Sequence, residues 1–225
     1  MNAGSKGEDT SMAAGNTAAK ASIERLRERI ARADGDALDL IFREARSFKG
    51  WLDRPVEPAL LCELFELVNA GPTSGNICPA RYVFVSSAEA CAELLPAISD
   101  DNKAKVAAAP VTVVIGYDLE FWRSFDVLAP QRTDGSGRFA SDPAFAERAA
   151  FRDGTLQGVY LILAALALGL DVGPVQGFDE DKVDALYFAG TAVRSNFLCN
   201  LGYGDPAGLP AKPPWLPFGA ACRIL

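Results

Sequence analysis

Histidine is absent from all 225 residues of this chain. Its absence excludes Ser-His-Asp and Cys-His nucleophile systems, imidazole acid–base catalysis and His-containing zinc sites. A chain without that proton carrier points to a cofactor for the difficult chemistry. Neither a GxGxxG dinucleotide fingerprint nor a GxxxxGK(S/T) phosphate loop occurs. No compact apolar core of a signal peptide is visible near the N-terminus. The most apolar helical pattern, 156–168, is shorter than the roughly 20 residues that span a bilayer. The five cysteines, Cys62, Cys78, Cys91, Cys199 and Cys222, are odd in number and lack paired metal-ligand spacing. They read as reduced thiols of a cytoplasmic protein without a metal site. Positive charge is in deficit, 22 Lys and Arg against 29 Asp and Glu, for a net charge of -7. That balance argues against a nucleic-acid or anionic-membrane partner.

What is present suits one globular domain: 49% of residues are hydrophobic and 23% charged. Residues 1–33 read as an N-terminal extension. Its Ala/Gly/Ser/Asn/Thr-rich part, 1–19, is expected to be a disordered or processed tail, and 22–32 a short solvated helix. Residues 34–225 read as a single domain. Asp36 is placed to cap a helix containing Leu38, Ile41 and Phe42. Further helices are expected over 58–70 and 89–95, and strands over 81–85, 111–115, 170–175 and 197–203. Asn102 and Lys105 fall on an expected turn before the second strand. The stretch 121–140 looks irregular and reads as a mobile cover. The pattern over 156–168 is apolar nearly all round, so it is expected to be buried on every side, as a central helix or a subunit interface. The proline-rich segment 210–218 cannot be regular for long. Helices and strands interleave without βαβ repetition. The expected class is therefore α+β: a three-layer α-β-α sandwich around a mainly antiparallel sheet.

The most informative stretch is Gly71-Pro72-Thr73-Ser74-Gly75-Asn76-Ile77-Cys78-Pro79-Ala80. Its prolines prevent helix continuation and its glycines permit tight turns. Thr73, Ser74 and Asn76 can lay hydrogen-bonding groups along a flat heteroaromatic ligand. Cys78 is either a reactive thiol or a small neutral spacer. Elsewhere the basic groups of interest are scattered, at Arg46, Lys49, Lys105 and Lys212. Pro174-Val175-Gln176-Gly177-Phe178-Asp179 follows a strand, and Gly177 permits close approach of a ligand to the backbone.

In these blocks the chain resembles the FMN-dependent nitroreductase family over about 37–225. The blocks run in the family's order: Arg46-Ser47-Phe48-Lys49; Pro72-Thr73-Ser74-Gly75-Asn76 with Pro79; Asn102 with Lys105; and Pro174 through Asp179, followed by Asn200-Leu201-Gly202-Tyr203-Gly204. Three further stretches resemble its malonic semialdehyde reductase branch: Gly50-Trp51-Leu52-Asp53, Ser195 through Asn200, and Gly204-Asp205-Pro206-Ala207-Gly208-Leu209. The resemblance implies a homodimer with FMN at the subunit interface and NADH or NADPH as electron donor. Arg46, Ser47 and Lys49 would hold the phosphate and one flavin edge, and Lys212 would lie near the phosphate. Asn102 and Lys105 would face the pyrimidine edge, with Lys105 stabilising negative charge near N1 and O2. Gly177, beside Pro174 and Gln176, would present its N–H to flavin N5. Pro72, Thr73, Ser74 and Asn76 would border the flavin of the partner subunit. Lys105 and Gly177 would thus tune the flavin, with no protein nucleophile. The implied reaction is ping-pong hydride transfer from NAD(P)H to malonic semialdehyde. The alternatives are a broad nitroaromatic or quinone reductase and a non-catalytic flavin-binding protein. Three positions depart from the family pattern: Ala45 for an Arg, Gln176 for a Glu, and Trp215 for a basic residue.

Overall fold

The computed structural model describes residues 5–130 and 135–225, with side chains from residue 17 onward. The chain divides into two compact units, Met1–Arg43 and Glu44–Leu225. The boundary expected at 33/34 falls inside the first of these. In that unit α1, Ser5–Arg29, runs through both the stretch read as a disordered or processed tail and the stretch read as a short helix. Ala, Lys, Glu and Arg, which favour helix, make up much of it. Residues 1–4 lie outside the described residues. The next helix, α2, Gly35–Leu38, is capped by Asp34, whose side chain accepts from the Ala37 N–H at 2.7 Å. Asp36, the expected cap, sits instead in the first turn, where its charge favours the helix N-terminus.

The second unit is built on four strands: β1, Ala80–Val85; β2, Val111–Asp118; β3, Asp171–Val175; and β4, Val193–Gly202. Their order is β1-β2-β4-β3, and every neighbouring pair is antiparallel. Around them lie α3, Pro58–Asn69; α4, Ala88–Leu94; α5, Asp100–Ala107; α6, Phe125–Leu128; α7, Gly135–Ser141; α8, Pro143–Ala167; α9, Glu180–Tyr187; and α10, Phe218–Ala221. Strand alternation divides the core in two. Val111, Val113 and Ile115 of β2, with Phe197, Cys199 and Leu201 of β4, pack with Leu64 and Val68 of α3 and with Leu161 and Ala165 of α8. Val114 and Leu198 belong to a second cluster, with Leu94, Val106 and Val183 from α4, α5 and α9. This is the expected three-layer sandwich. Each fully buried Leu, Val or Ile contributes about 1.5–3 kcal/mol. Strand β2 runs further than its expected range because both faces are buried, so no polar alternation marks its limit. Strand β4 starts earlier than expected, through the more polar, partly exposed Val193-Arg194-Ser195-Asn196, which pairs with the end of β2.

One expectation is corrected here and another is narrowed. The stretch 121–140 is not an irregular cover. It forms a tight 3-10 turn, Phe121–Ser124, then α6 and α7. Phe121 and Phe125 are buried with Ile77 and Tyr117, and the Phe139 ring centroid lies 4.9 Å from that of Phe121. Residues 131–134 lie outside the described residues. Within one chain α8 is not enclosed all round, which sets aside the central-helix alternative and leaves the subunit-interface one. Gly154, Gly158, Leu161 and Ala165 are buried, while Phe151, Leu156, Val159 and Tyr160 form an exposed apolar face. Among the described residues no helix is long and apolar enough to cross a membrane.

The sandwich makes a specific claim about Cys199, which is wholly inside it. Burial pushes its thiol up to about 12. At a given pH that leaves roughly a thousandfold less thiolate than an ordinary cysteine carries. Thiol labelling of the native protein, followed by peptide mass spectrometry, should modify exposed Cys62 and Cys222 and leave Cys199 untouched until denaturant is added. Labelling of Cys199 at the rate of Cys62 would contradict this core.

Candidate active site

The end of β3 gathers the first group of sequence-derived residues. Pro174 has no amide donor and sits on an edge strand, where none is needed. Beyond it the chain passes exposed Gln176 and reaches Gly177. The Gly177 carbonyl accepts from the Ser99 N–H at 3.0 Å and from Asn102 Nδ2 at 3.3 Å. A Cβ at Gly177 would meet Ser99 Oγ at 2.5 Å and would collide with Asn102 Nδ2, so a side chain here forces its neighbours apart. The Gly177 N–H has no partner among the described residues, and the residue is half-exposed. A backbone donor is therefore offered to whatever occupies this surface.

Asn102 and Lys105 lie on helix α5 rather than on a turn. The polar run DDNKAK hid the helix, because Val106 is its one buried residue. Asp100 and Asp101 in its first turn favour the positive helix end. Spacing of three puts Asn102 and Lys105 on one face. Lys105 Nζ donates to Asn102 Oδ1, while Asn102 Nδ2 also donates to Ser99 Oγ at 2.9 Å. Beneath them Asn200, fully buried in β4, donates from Nδ2 to the Lys105 carbonyl at 3.2 Å and accepts from Thr112 Oγ1 at 2.9 Å. This network ties the helix to the sheet. Unmade, each buried polar group would cost about 1–3 kcal/mol.

The second group lies further back along the same edge. Ser47 bridges Val172 of β3, and the Phe48 N–H donates to the Val172 carbonyl at 2.8 Å. Trp51 bridges Gly204, whose missing side chain leaves room for the Phe48 ring. Arg46 Nη2 donates to the Pro210 carbonyl at 2.6 Å, and Lys212 Nζ pairs with Glu44 Oε2 at 2.7 Å. The C-terminal segment thus carries Lys212 across to Glu44 and Arg46. Ser47 and Lys49 are exposed. Val172 and Gly177 are five residues apart, at most about 17 Å of extended chain. Both groups are therefore within reach of one elongated ligand, along an edge bearing Arg46, Lys49, Lys105 and Lys212 in a chain of net charge -7.

The third group, the 71–78 loop, stands elsewhere. It leads into β1, the edge opposite β3, with β2 and β4 between. Left-handed backbone occurs at Gly75, Asn76 and Cys78, with φ of 63°, 60° and 37°, but not at Gly71. The loop is held from within. Ser74 Oγ and N donate to Asp153 Oδ1 at 3.1 and 3.4 Å, and Asn76 Nδ2 donates to the Leu128 carbonyl at 2.8 Å. Thr73 Oγ1 accepts from the Cys78 N–H at 3.3 Å. Pro72 is exposed. The Cys78 thiol faces oxygens of Thr73 and Asn76. Sequence reasoning gave no role to three supporting residues: Ser99, Asp153 and Asn200, the last quoted only as part of a block. The last two carried a readable signal, a polar residue within an apolar helix or strand pattern.

The nitroreductase family model matches residues 42–203. The chain belongs to the nitroreductase family. Two curated relatives support the same placement. One, from Stenotrophomonas maltophilia (strain R551-3), is 54% identical over 191 residues, covering 85% of this chain and 97% of the relative. Another, from Burkholderia lata, is 55% identical over 188 residues, covering 84% and 96%. Both are provisionally named NADH dehydrogenase/NAD(P)H nitroreductase. A solved structure from Exiguobacterium sibiricum 255-15, described as a nitroreductase in complex with FMN, shares the fold with a TM-score of 0.74. It is 19% identical and covers 86% of this chain and 99% of its own. The expected fold and the oxidoreductase class follow from this membership.

Two glycines test the packing at the site. Gly177→Ala should cost about 1–3 kcal/mol, as overpacking does. Gly208→Ala, where a Cβ would meet nothing within 4 Å, should stay within about 0.5 kcal/mol. Denaturant melts of both variants decide it; equal midpoints would mean that Gly177 is not confined by Ser99 and Asn102.

Proposed function

We propose that this protein is an FMN-dependent NAD(P)H oxidoreductase, acting as a homodimer in the cytoplasm on malonic semialdehyde to give 3-hydroxypropanoate. The observation that carries the reading is the unpartnered Gly177 N–H beside Asn102 and Lys105, with Arg46 and Lys49 on the same edge. One end of that edge offers neutral donors and an ammonium to a polar ring; the other offers cations to a phosphate. This donor set fits FMN. When bound, FMN supplies the hydride-transfer chemistry that a chain without histidine lacks.

Each residue then has a task. The Gly177 N–H is a fixed donor, held by the two hydrogen bonds to its carbonyl. Lys105, oriented by Asn102 and anchored through Asn200, favours negative charge at the ring edge it faces. Pro174 and Gln176 border the ring, and neutral Gln176 adds no opposing charge. Arg46, Ser47 and Lys49 serve the phosphate, with Lys212 beside them and shared with Glu44. The 71–78 loop sits at the far edge of the sheet, and α8 exposes Phe151, Leu156, Val159 and Tyr160. Both facts support a second copy packed on α8, with Pro72, Thr73, Ser74 and Asn76 bordering its FMN. The substrate reading rests on the three stretches that resemble malonic semialdehyde reductases. The names of the relatives favour a second reading, reduction of nitroaromatics or quinones.

Lys105→Ala should slow NAD(P)H-driven bleaching of bound flavin by about 10- to 100-fold in stopped flow. The melting temperature should fall by only a few degrees, because Lys105 is half-exposed. A large loss of stability with unchanged bleaching would make Lys105 structural. Steady-state assays on one preparation decide the substrate. The kcat/KM for malonic semialdehyde should exceed that for a bulky nitroaromatic by roughly tenfold or more. A clear win for the nitroaromatic supports the second reading instead.

A further inference from the structure

A cavity of about 340 Å³ lies between α7, the first half of α8 and the 71–78 loop. Its wall includes Arg138, Arg148 and Arg152, together with Ser74, Phe145 and Asp153. Three guanidinium groups against one carboxylate leave it positive, although the chain as a whole carries -7. None of the three arginines makes an ion pair with a described residue. All three are exposed, so solvent screens much of their mutual repulsion. Arg148 and Arg152 are four apart on one face of α8, where like charges repel. Arg138 nevertheless approaches the same place, its guanidinium carbon 3.9 Å from the centre of the Phe145 ring, and that of Arg148 lies 6.0 Å from it. Phe145 in turn stacks on Phe139, with centroids 5.2 Å apart. Phe145 thus attracts Arg138 at short range and Arg148 more weakly, through cation–π contact.

Asp153 completes the wall. It is 1% exposed. Its Oδ1 accepts from Ser74, but Oδ2 is buried without a partner. A buried acceptor with no donor marks a hydrogen bond that an occupant can supply.

We propose that this cavity is a subsite for the carboxylate end of a short carbonyl acid and its hydroxy-acid product. The carboxylate lies among Arg138, Arg148 and Arg152, where guanidinium forks match its geometry. Asp153 Oδ2 accepts from a hydroxyl, which the hydroxy acid carries and a simple quinone or nitroaromatic lacks. The inference rests on the reading that Ser74 borders the FMN of a second copy, since that places the cavity beside the reacting centre. It goes further by naming the residues that would select a small anionic substrate over an uncharged one.

The test uses the full-length protein loaded with oxidised FMN, with 3-hydroxypropanoate as the probe, since it carries both the carboxylate and the hydroxyl. Calorimetry should detect its binding to the parent protein. Binding should be weakened about 10- to 100-fold in Arg148→Gln and in Arg152→Gln, as loss of one charged hydrogen-bonding partner predicts. Arg152→Lys, which keeps the charge but not the fork, should fall between the parent and Arg152→Gln. The ratio of kcat/KM for malonic semialdehyde to that for menadione should drop by a similar factor in the Gln variants. Equal 3-hydroxypropanoate affinity in the parent and both Gln variants would overturn the proposal, as would no binding to the parent, the result expected if the arginines pair with a second copy instead. Binding of 3-hydroxypropanoate that depends on the arginines, in a protein that does not reduce malonic semialdehyde, would sink the substrate reading and leave the subsite standing.

Discussion

The contact between Gly177 and the start of helix α5 is the constraint on which the site depends. The Gly177 carbonyl accepts from both Ser99 and Asn102, and the lack of a side chain lets the helix come that close. The same approach leaves the Gly177 N–H facing outward and sets Asn102 to orient Lys105. Asn200 and Thr112 repeat the coupling from inside the sheet, through the Lys105 carbonyl. A donor and a cation are thus fixed before any ligand arrives, which spares the cost of ordering them on binding.

Much of this architecture was legible in the chain, for identifiable reasons. The helix over Pro58–Asn69 and the four strands have strong apolar periodicity, and the antiparallel three-layer arrangement follows from their interleaving. Blocks that resemble the family drew attention to Arg46, Ser47, Lys49, Asn102, Lys105 and Gly177, which lie on or beside the β3 edge; the roles proposed for them rest on that resemblance. Helix α5 was hidden because it buries little besides Val106, so its stability comes from Asn200 and the Gly177 contact rather than from an amphipathic pattern. The stretch 121–140 misled because its Gly/Ser/Thr/Asp cluster outweighed Phe121, Phe125 and Phe139, which converge only in three dimensions. Helix α8 shows why an all-round apolar pattern is ambiguous: Gly154, Gly158, Leu161 and Ala165 face the core, while Phe151, Leu156, Val159 and Tyr160 stay open in a single chain.

That open side and the loop anchored to Asp153 make a common point. Within one chain the sheet separates the 71–78 loop from the Gly177 edge by two strands, roughly 14 Å at ordinary strand spacing. An internally braced loop, an exposed apolar helix face and a half-complete ligand edge are each costly or purposeless in a lone chain. All three become useful if two copies meet along α8. Acidic net charge is then compatible with anionic ligands, because Arg46, Lys49, Lys105 and Lys212 along the β3 edge and the three arginines of the cavity make both places locally positive.

The most direct test is a crystal structure of the protein saturated with FMN. The account predicts two chains per flavin site. The ring N5 should lie within hydrogen-bond reach of the Gly177 N–H, the phosphate near Arg46 and Lys49, and Ser74 nearer to the flavin of the other chain than to its own. FMN bound within a single chain, or away from the β3 edge, would contradict it.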